Sequence, residues 1–365
     1  MKKSKVTVTA VLLSLFIITL VIIWRIFIYE TPQMKFVKNM GAGINIGNSL
    51  DSHGLREYHP EASDLDFETF WGNPEITEEL FVMIKEAGFS TVRIPVTWQD
   101  HMDESGLVSE EWMARVQEVV DMALKQELYV ILNTHHEEWM NLETDRLDEI
   151  AERFAFLWTQ IAENFSEYDE RLVFEGMNEP RLRDSEHEWT EGTEELRDMV
   201  NQLNEVFVDT VRSTGGANEE RYLMICPYAT NHVEEAMVDL EVPKGNIIVS
   251  IHMYSPYVFC QKEDGIATWD ASDSECAGYA EDIVMHFNNM KELFIKKGVP
   301  VIITEFGCTD KDNLDSRIEW IEFYKEQADS VGIPCVWWDN GSNYQIMDRE
   351  SFEWTYPEIK DALVE

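Results

Sequence analysis

The chain has 365 residues, enough for one large domain or two small ones. With 44% hydrophobic and 12% aromatic residues it can bury a sizeable core, which argues against disorder. Against 29 basic residues stand 70 acidic ones; a formal net charge of −41 repels phosphate backbones and excludes a nucleic-acid partner, while leaving a neutral polymer open.

The first element is Val6 to Trp24, a run without a charge. At ~1.5 Å per residue it reaches ~28 Å, close to the thickness of a bilayer core. Lys2, Lys3 and Lys5 precede it and set that end in the cytoplasm. A cleaved signal peptide is the competing reading, but Trp24-Arg25-Ile26-Phe27 follows where a small-residue cleavage site would stand. The expected order is a cytoplasmic end (1–5), an uncleaved single-pass anchor (6–24), a juxtamembrane piece (25–35) and an extracellular domain (36–365).

From Gly41 onward no linker, low-complexity tract or repeat interrupts the chain, which fits one compact domain. Short apolar β-rich runs alternate with longer helical patterns. The runs are Ala42–Gly47, Thr91–Pro95, Tyr129–Asn133, Leu172–Gly176, Tyr222–Cys226, Ile247–Ile251, Val301–Thr304 and Cys335–Trp338. Between them Leu147, Ile150, Phe154, Leu157 and Ile161 recur at helical spacing. So do Leu196, Met199, Leu203, Val206 and Thr210, with Gly215-Gly216 as a stop. Ile283, Phe287, Met290 and Phe294 repeat the pattern before Gly298. The runs are too apolar for half-exposed antiparallel strands. Eight βα units predict a (β/α)8 TIM barrel. An open doubly wound sheet is the alternative, though the first βα turn lacks the glycine-rich dinucleotide fingerprint.

In such a barrel the chemistry sits where the strands end. Asn48 and Asp51 follow the first run; Arg93 lies in the second, with Trp98 after it. The third leads to His135-His136-Glu137, the fourth to Asn178-Glu179-Pro180, the fifth to Tyr228 and Asn231. The sixth leads to His252 and Tyr254, the seventh to Glu305-Phe306-Gly307, the eighth to Trp338-Asp339-Asn340. One polar residue after a strand is usually a cap; acids, His, Tyr and Trp after nearly every strand indicate a cleft. Two carboxylates at opposite strand ends suit glycoside hydrolysis, one as proton donor and one as nucleophile or base. A metal use of His135, His136 and Glu137 is disfavoured, because adjacent side chains on a strand diverge and the i,i+4 zinc spacing is absent. No Gly-x-Ser-x-Gly elbow supports a serine triad. Twelve tryptophans offer sugar-stacking platforms or core equally well. Of five cysteines, Cys260 and Cys276 bracket a short polar segment and are a candidate disulfide outside the cell. No C-x-x-C pair is present.

Together these residues resemble glycoside hydrolase family 5, the cellulase family, and within it subfamily 4. The motifs are Gly43-Ile-Asn-Ile-Gly-Asn-Ser-Leu-Asp51, Phe70-Trp-Gly-Asn73, Thr91-Val-Arg-Ile-Pro-Val-Thr-Trp98, Asn133-Thr-His-His-Glu137, Asn178-Glu-Pro180, His252-Met-Tyr-Ser-Pro-Tyr257, Thr304-Glu-Phe-Gly307 and Trp337-Trp-Asp-Asn-Gly341. The resemblance runs from about Phe36 to the C-terminus, and eight motifs in order are specific where Asn-Glu-Pro alone is weak. It implies Glu179 as acid/base and Glu305 as nucleophile, kept ionised by Arg93. Tyr254 would donate to Glu305, and His252 would partner Glu179. Asn178 would bind the sugar 2-hydroxyl, His135 and His136 would hold the sugar, and Trp338 would stack beneath it. For Arg93 a structural ion pair is the alternative, for Asn48 a turn cap, for Trp337 core; Trp71 and Trp98 fit packing or sugar contact. The family implies a retaining endo-β-1,4-glucanase, monomeric and without cofactor or metal, acting on soluble cellulose, mixed-linkage glucan or xyloglucan. Mannan or xylan hydrolysis, or a catalytically dead carbohydrate-binding barrel, are the alternatives. An anchored, lone catalytic domain departs from the many secreted multi-module relatives and suits accessible rather than crystalline glucan.

Overall fold

The computed structural model describes residues 31–365. The expected anchor Val6–Trp24 lies outside them, and among the described residues no helix is long and apolar enough to cross a membrane.

Eight parallel strands close into a barrel in chain order: β1 (Gly43–Asn45), β2 (Thr91–Ile94), β3 (Tyr129–Asn133), β4 (Leu172–Glu175), β5 (Leu223–Ile225), β6 (Ile247–His252), β7 (Val301–Phe306) and β8 (Cys335–Trp337). Gly43 pairs with Thr91 of β2 on one side and Val336 of β8 on the other, so no edge remains and the open-sheet alternative falls. All eight strands lie on the expected apolar runs.

Strand alternation sorts the side chains into two cores. Val130 and Leu132 of β3 join the large cluster between sheet and helices, and Ile131 joins the small one. The small cluster also takes Val173, Met224, Ile248, Ile302 and Val336, one apolar residue from each of five other strands. Helix α1 (Pro32–Met40), capped by the Thr31 hydroxyl, adds Phe36, Val37 and Met40 to it. Phe36 stacks on Tyr222 at 3.5 Å between ring centroids. Nearer the C-terminal strand ends a second, polar set is buried: Asn45, Arg93, Glu175, Ser250 and Thr304, each at most 1% exposed.

The outer helices are α2 (Glu78–Glu86), α3 (Glu110–Lys125), α4 (Leu147–Asn164), α5 (Glu194–Ser213), the single turn α6 (Glu234–Met237), α7 (Ala277–Leu293), α8 (Leu314–Val331) and α9 (Pro357–Val364). Helix α4 buries the expected Ile150, Phe154, Leu157 and Ile161, and adds Trp158. In α5 the stripe is rotated one position from the reading: Leu203, Phe207 and Val211 are buried, whereas Val206 and Thr210 are half-buried. Phe207 takes the inner place because its ring packs on Trp158 at 4.6 Å. Past Ser213, Gly215 and Gly216 both adopt positive φ, where glycine carries no Cβ penalty.

All five cysteines are buried free thiols, so the candidate Cys260–Cys276 disulfide is not formed. Cys260 ends a one-turn helix whose carbonyl accepts the Thr309 amide, tying it to the end of β7; Cys276 sits at the start of α7 and points its thiol at the Thr268 carbonyl.

Candidate active site

Glu179 follows β4 with a positive φ of 47°, a strained conformation for a non-glycine residue, held by its amide's bond to the Thr230 hydroxyl at 3.1 Å. Glu305 lies within β7. The register between β6 and β7 slips after Ile251, and that between β7 and β8 slips after Ile303, so the chain re-aims side chains around both His252 and Glu305. As a result Glu179, His252 and Glu305 offer side-chain atoms within 4.8 Å of one another. Two acids that are 126 positions apart in the chain (305 − 179) face each other across a gap that one glycosidic linkage fits.

Each acid has its own partners. Glu305 Oε1 accepts Arg93 Nη1 at 2.6 Å, and Oε2 accepts the Tyr254 hydroxyl at 3.0 Å. Glu179 Oε1 meets His252 Nδ1 at 2.9 Å, and Arg181 Nη1 lies 3.7 Å from Oε2. His252 also lies 3.5 Å from Glu305, and its Nε2 is buried without a partner. Burial pushes both carboxyls upward. At Glu179 burial is the largest single effect, but the His252 hydrogen bond together with the charges of His252, Arg181 and His136 outweighs it and brings the carboxyl below the usual value. Glu305 stays raised, because burial and the Glu179 charge exceed the pull of His252 and Arg93. The reaction needs the opposite order at the moment of attack. A sugar oxygen placed against Glu179 supplies it, since that oxygen accepts a hydrogen bond from the protonated form alone. The loss of Glu305's charge on glycosylation then lets Glu179 release its proton.

Arg93 is the hub. It is fully buried; Nε bonds Glu175 at 2.6 Å, Nη1 bonds Glu305 and Asn45, and Nη2 bonds Asn178 Oδ1 at 2.8 Å. Burial alone would lower its proton affinity, but Glu175 and Glu305 more than offset that. It therefore forms a buried ion pair with Glu175 and at the same time supports the Glu305 carboxylate. Asn178 is set by that guanidinium and by its own amide on the Thr134 carbonyl.

The expected sugar-contact residues gather on one side. His135 stacks parallel to Trp338, 5.8 Å between centroids and 5° between planes. Burial lowers its proton affinity far below the ordinary histidine value, with His136 adding to the effect. The neutral ring accepts Asn133 Nδ2 at Nδ1, 3.1 Å, which leaves Nε2 as the donor in this network. Trp338 is half-buried over Gly47; a Cβ there would stand 2.7 Å from the indole. His136 meets His53 and Trp71 at 5.0 and 5.7 Å between ring centroids, which places Trp71 at the cleft. Trp98 and Trp337 are fully buried, their indole N–H groups on the Asn133 and Tyr344 carbonyls, and belong to the core. Asn48 is fixed through its backbone, with a positive φ, its amide on Asp51 and its carbonyl on Asn73 Nδ2, as a turn cap requires.

One expectation is corrected. His135 and His136 do not diverge: their rings lie 4.5 Å apart, because the chain has left the sheet at Asn133 and strand alternation no longer applies. With Asp51 they bring ligand-type atoms within 4.8 Å of one another. Glu137 turns away, accepting the Trp98 amide and the Trp139 indole N–H.

The reading by strand ends passed over Glu175, Ser250, Asn133 and Arg181. Glu175 carried a signal, a lone acid inside the apolar Leu172–Gly176 run; the others had none beyond proximity to named residues.

Carboxylate oxygens within 4.8 Å of each other suit the short separation, roughly 5–5.5 Å, of retaining glycosidases and leave less room than the roughly 6.5–9.5 Å of inverting ones. Fold and site together define a retaining glycoside hydrolase on a (β/α)8 barrel. The family description "Cellulase (glycosyl hydrolase family 5)" matches residues 57–344. The chain belongs to that family. Endoglucanase A of Clostridium longisporum is 41% identical over 341 residues, covering 90% of this chain and 65% of the relative's length. A solved broad-specificity endoglucanase of subfamily 4, also from Clostridium longisporum, superposes with a TM-score of 0.86 at 39% identity, covering 92% of this chain and 98% of that one. A xyloglucan-specific endo-β-1,4-glucanase from a metagenomic library, solved with cellotriose, gives 0.85 at 38% identity, covering 90% and 97%.

Proposed function

We propose that the protein is an endo-β-1,4-glucanase, held at the cell surface by residues 6–24, that cuts soluble β-glucans with net retention and without a cofactor. The observation that carries the chemistry is the meeting of Glu179 and Glu305 within 4.8 Å, each with a separate set of donors. Protonated Glu179 gives its hydrogen to the glycosidic oxygen while Glu305 attacks the anomeric carbon. The bond to the leaving chain breaks as the bond to Glu305 forms. Glu179, now ionised, takes a proton from water, whose oxygen displaces Glu305 and restores both acids. Asn178 suits the 2-hydroxyl, a contact that tightens in the transition state, and Trp338 with His135 forms the face for the reacting sugar. Support for the substrate class comes from two similar proteins, a xyloglucan-specific endo-β-1,4-glucanase and a broad-specificity endoglucanase. Support for the anchor is the charge-free run Val6–Trp24 behind three lysines.

Purified residues 31–365 assayed on carboxymethylcellulose, mixed-linkage glucan, xyloglucan, mannan and xylan test the substrate. Turnover of one or more β-glucans, lost in Glu305→Ala, is expected; turnover of mannan or xylan alone, or binding without turnover, overturns the reading. Full-length protein that stays in the membrane fraction after a carbonate wash supports the anchor, and release into the medium refutes it.

A further inference from the structure

Beneath the two catalytic acids lies a third carboxylate that the reaction does not touch. Glu175, the last residue of β4, is 1% exposed and takes both of its oxygens out of the solvent. Oε2 accepts Arg93 Nε at 2.6 Å and Asn133 Nδ2 at 3.0 Å; Oε1 accepts the Ser250 hydroxyl at 2.6 Å. Ser250 in turn lies 2.6 Å from the Thr304 hydroxyl, one residue before the nucleophile. One guanidinium therefore faces two acids, Glu175 and Glu305, at equal 2.6 Å distances. A buried anion is costly and is retained only where its pairing has a use. Had the fold needed Arg93 only to hold Glu305, neutral acceptors on Nε would have served.

We propose that Glu175 is a positioning residue that sets the proton affinity of the nucleophile through Arg93. With its charge divided between two acids, Arg93 stabilises the Glu305 anion less than a dedicated guanidinium would. Glu175 also adds a second negative charge beneath the site. Both effects keep Glu305 basic enough to attack, because a carboxylate bound too firmly to a cation is a poor nucleophile. Through Nη2 the same guanidinium holds Asn178, so Glu175 also fixes the group aimed at the 2-hydroxyl. This rests on Glu305 being the nucleophile.

The groups facing this system are few. Glu305 sees Arg93 from β2, His252 and Tyr254 from and after β6, and Glu179 after β4. Glu175 sees Arg93, Asn133 and Ser250, and its charge reaches the buried Cys226 thiol after β5. Arg93 also acts on neutral His135.

Glu175→Gln isolates the charge. The amide oxygen can keep Arg93 and Asn133, while the new NH2 donates to Ser250, whose own hydrogen turns to Thr304. The cost falls on the Thr304 hydroxyl hydrogen, which gives up Ser250 as its acceptor, and on the second amide hydrogen. The test reads the pH dependence of two reactions in the bound complex: kcat on a saturating soluble glucan, and the saturated inactivation rate with a 2-deoxy-2-fluoro cellobiosyl fluoride, which traps the nucleophile and, with fluoride leaving, needs little help from Glu179. In Glu175→Gln the acid limb of both profiles should move down by about one pH unit, a shift sized by Coulomb interaction across the guanidinium at an effective dielectric near 20. The plateau inactivation rate should fall several-fold. Glu175→Asp keeps the anion but shortens its reach to Arg93; its limb should move the same way by less. A role limited to packing or hydrogen bonding would lower rates and the melting temperature and leave the limb in place. An acid limb unmoved or raised in Glu175→Gln overturns the proposal; if that variant does not fold, the same result in Glu175→Asp does so. Wild-type protein inert to both reagents would instead sink the nucleophile assignment.

Discussion

As the proposed nucleophile Glu305 must be ionised to attack, yet burial drives its carboxyl upward, so its partners decide the pH at which activity begins. In the substrate complex, where the sugar oxygen holds the proton on Glu179, the acid limb of kcat belongs to Glu305 and the alkaline limb to Glu179. Tyr254 donates to the charged form of Glu305. Tyr254→Phe removes that bond, raises the proton affinity of Glu305, and should move the acid limb of kcat up by about one unit, opposite in sign to Glu175→Gln. Glu179→Ala should cost ~10²–10⁴ in kcat/KM on a glucan, but far less in the first step on an aryl cellobioside with a good leaving group, which needs no proton. Equal losses on both substrates would count against Glu179 as the acid.

At the scale of elements, the βα turns hold the site and the opposite rim holds the fold. Arg349 and Asn73 lock the turn after β1 to the turn after β8: Arg349 bonds the Gly47 and Asp339 carbonyls, and Asn73 bonds those of Gly47, Asn48 and Asn340. Gly47 is where the backbone passes under Trp338. Gly47→Ala should displace the indole, lower kcat/KM several-fold and cost about 1–3 kcal/mol of stability. Steady-state kinetics and a denaturant melt check it. Arg221 does its work away from the acids: its guanidinium bonds the carbonyls of Phe165, Tyr168, Asp169 and Leu172 and the Asn218 side chain, gathering the turn between α4 and β4. Arg221→Ala should cost about 3 kcal/mol or more by leaving buried carbonyls unpaired. The folded fraction should keep its kcat, so a kcat loss without destabilisation would contradict this division.

For the whole molecule, two buried carboxyls and the net charge favour low pH, and five buried histidines oppose them. Burial raises Asp51 to about 6 and Glu137 to about 7. In the unfolded chain both have ordinary values, so the folded state holds more protons between those limits. Their favourable contribution is complete below the unfolded value and is lost as pH rises through about 6 and 7. Burial lowers the proton affinity of His101, His135, His136, His232 and His286, so at these five the folded state holds fewer protons than the unfolded chain, and their contribution grows as pH rises to the ordinary histidine value. Five histidines outweigh two carboxyls there, so the melting temperature should rise from pH 5 to about 6.5 and fall from there to pH 8. A net charge of −41 adds self-repulsion that grows over the same range. Added 0.5 M NaCl should raise the melting temperature more at pH 8 than at pH 5, since salt screens exposed charge and leaves the buried pairs nearly untouched. A melting temperature flat in both pH and salt would refute the account.

The sequence by itself determined the eight strands and the barrel, and placed Glu179 and Glu305, the two acids of the proposed chemistry, after β4 and at the end of β7. Those follow from local features: apolar runs of strand length, helical spacing between them, and polar residues placed after each run, which any closed parallel barrel carries to one rim. It also carried enough motif order to indicate the family. Only the tertiary structure decided how the polar residues divide their work. Arg93 reads as one basic residue in an apolar strand, and its service to two acids at once depends on strands β4 and β7 facing it across the barrel. His135 and His136 read as neighbours that diverge, until the chain leaves the sheet and brings them together. Phe207 displaced Val206 from the inner stripe because Trp158 stood opposite. Each is a contact between segments distant in the chain, and side-chain packing, bulges and shared hydrogen bonds at such contacts are settled by closure of the barrel rather than by any local pattern.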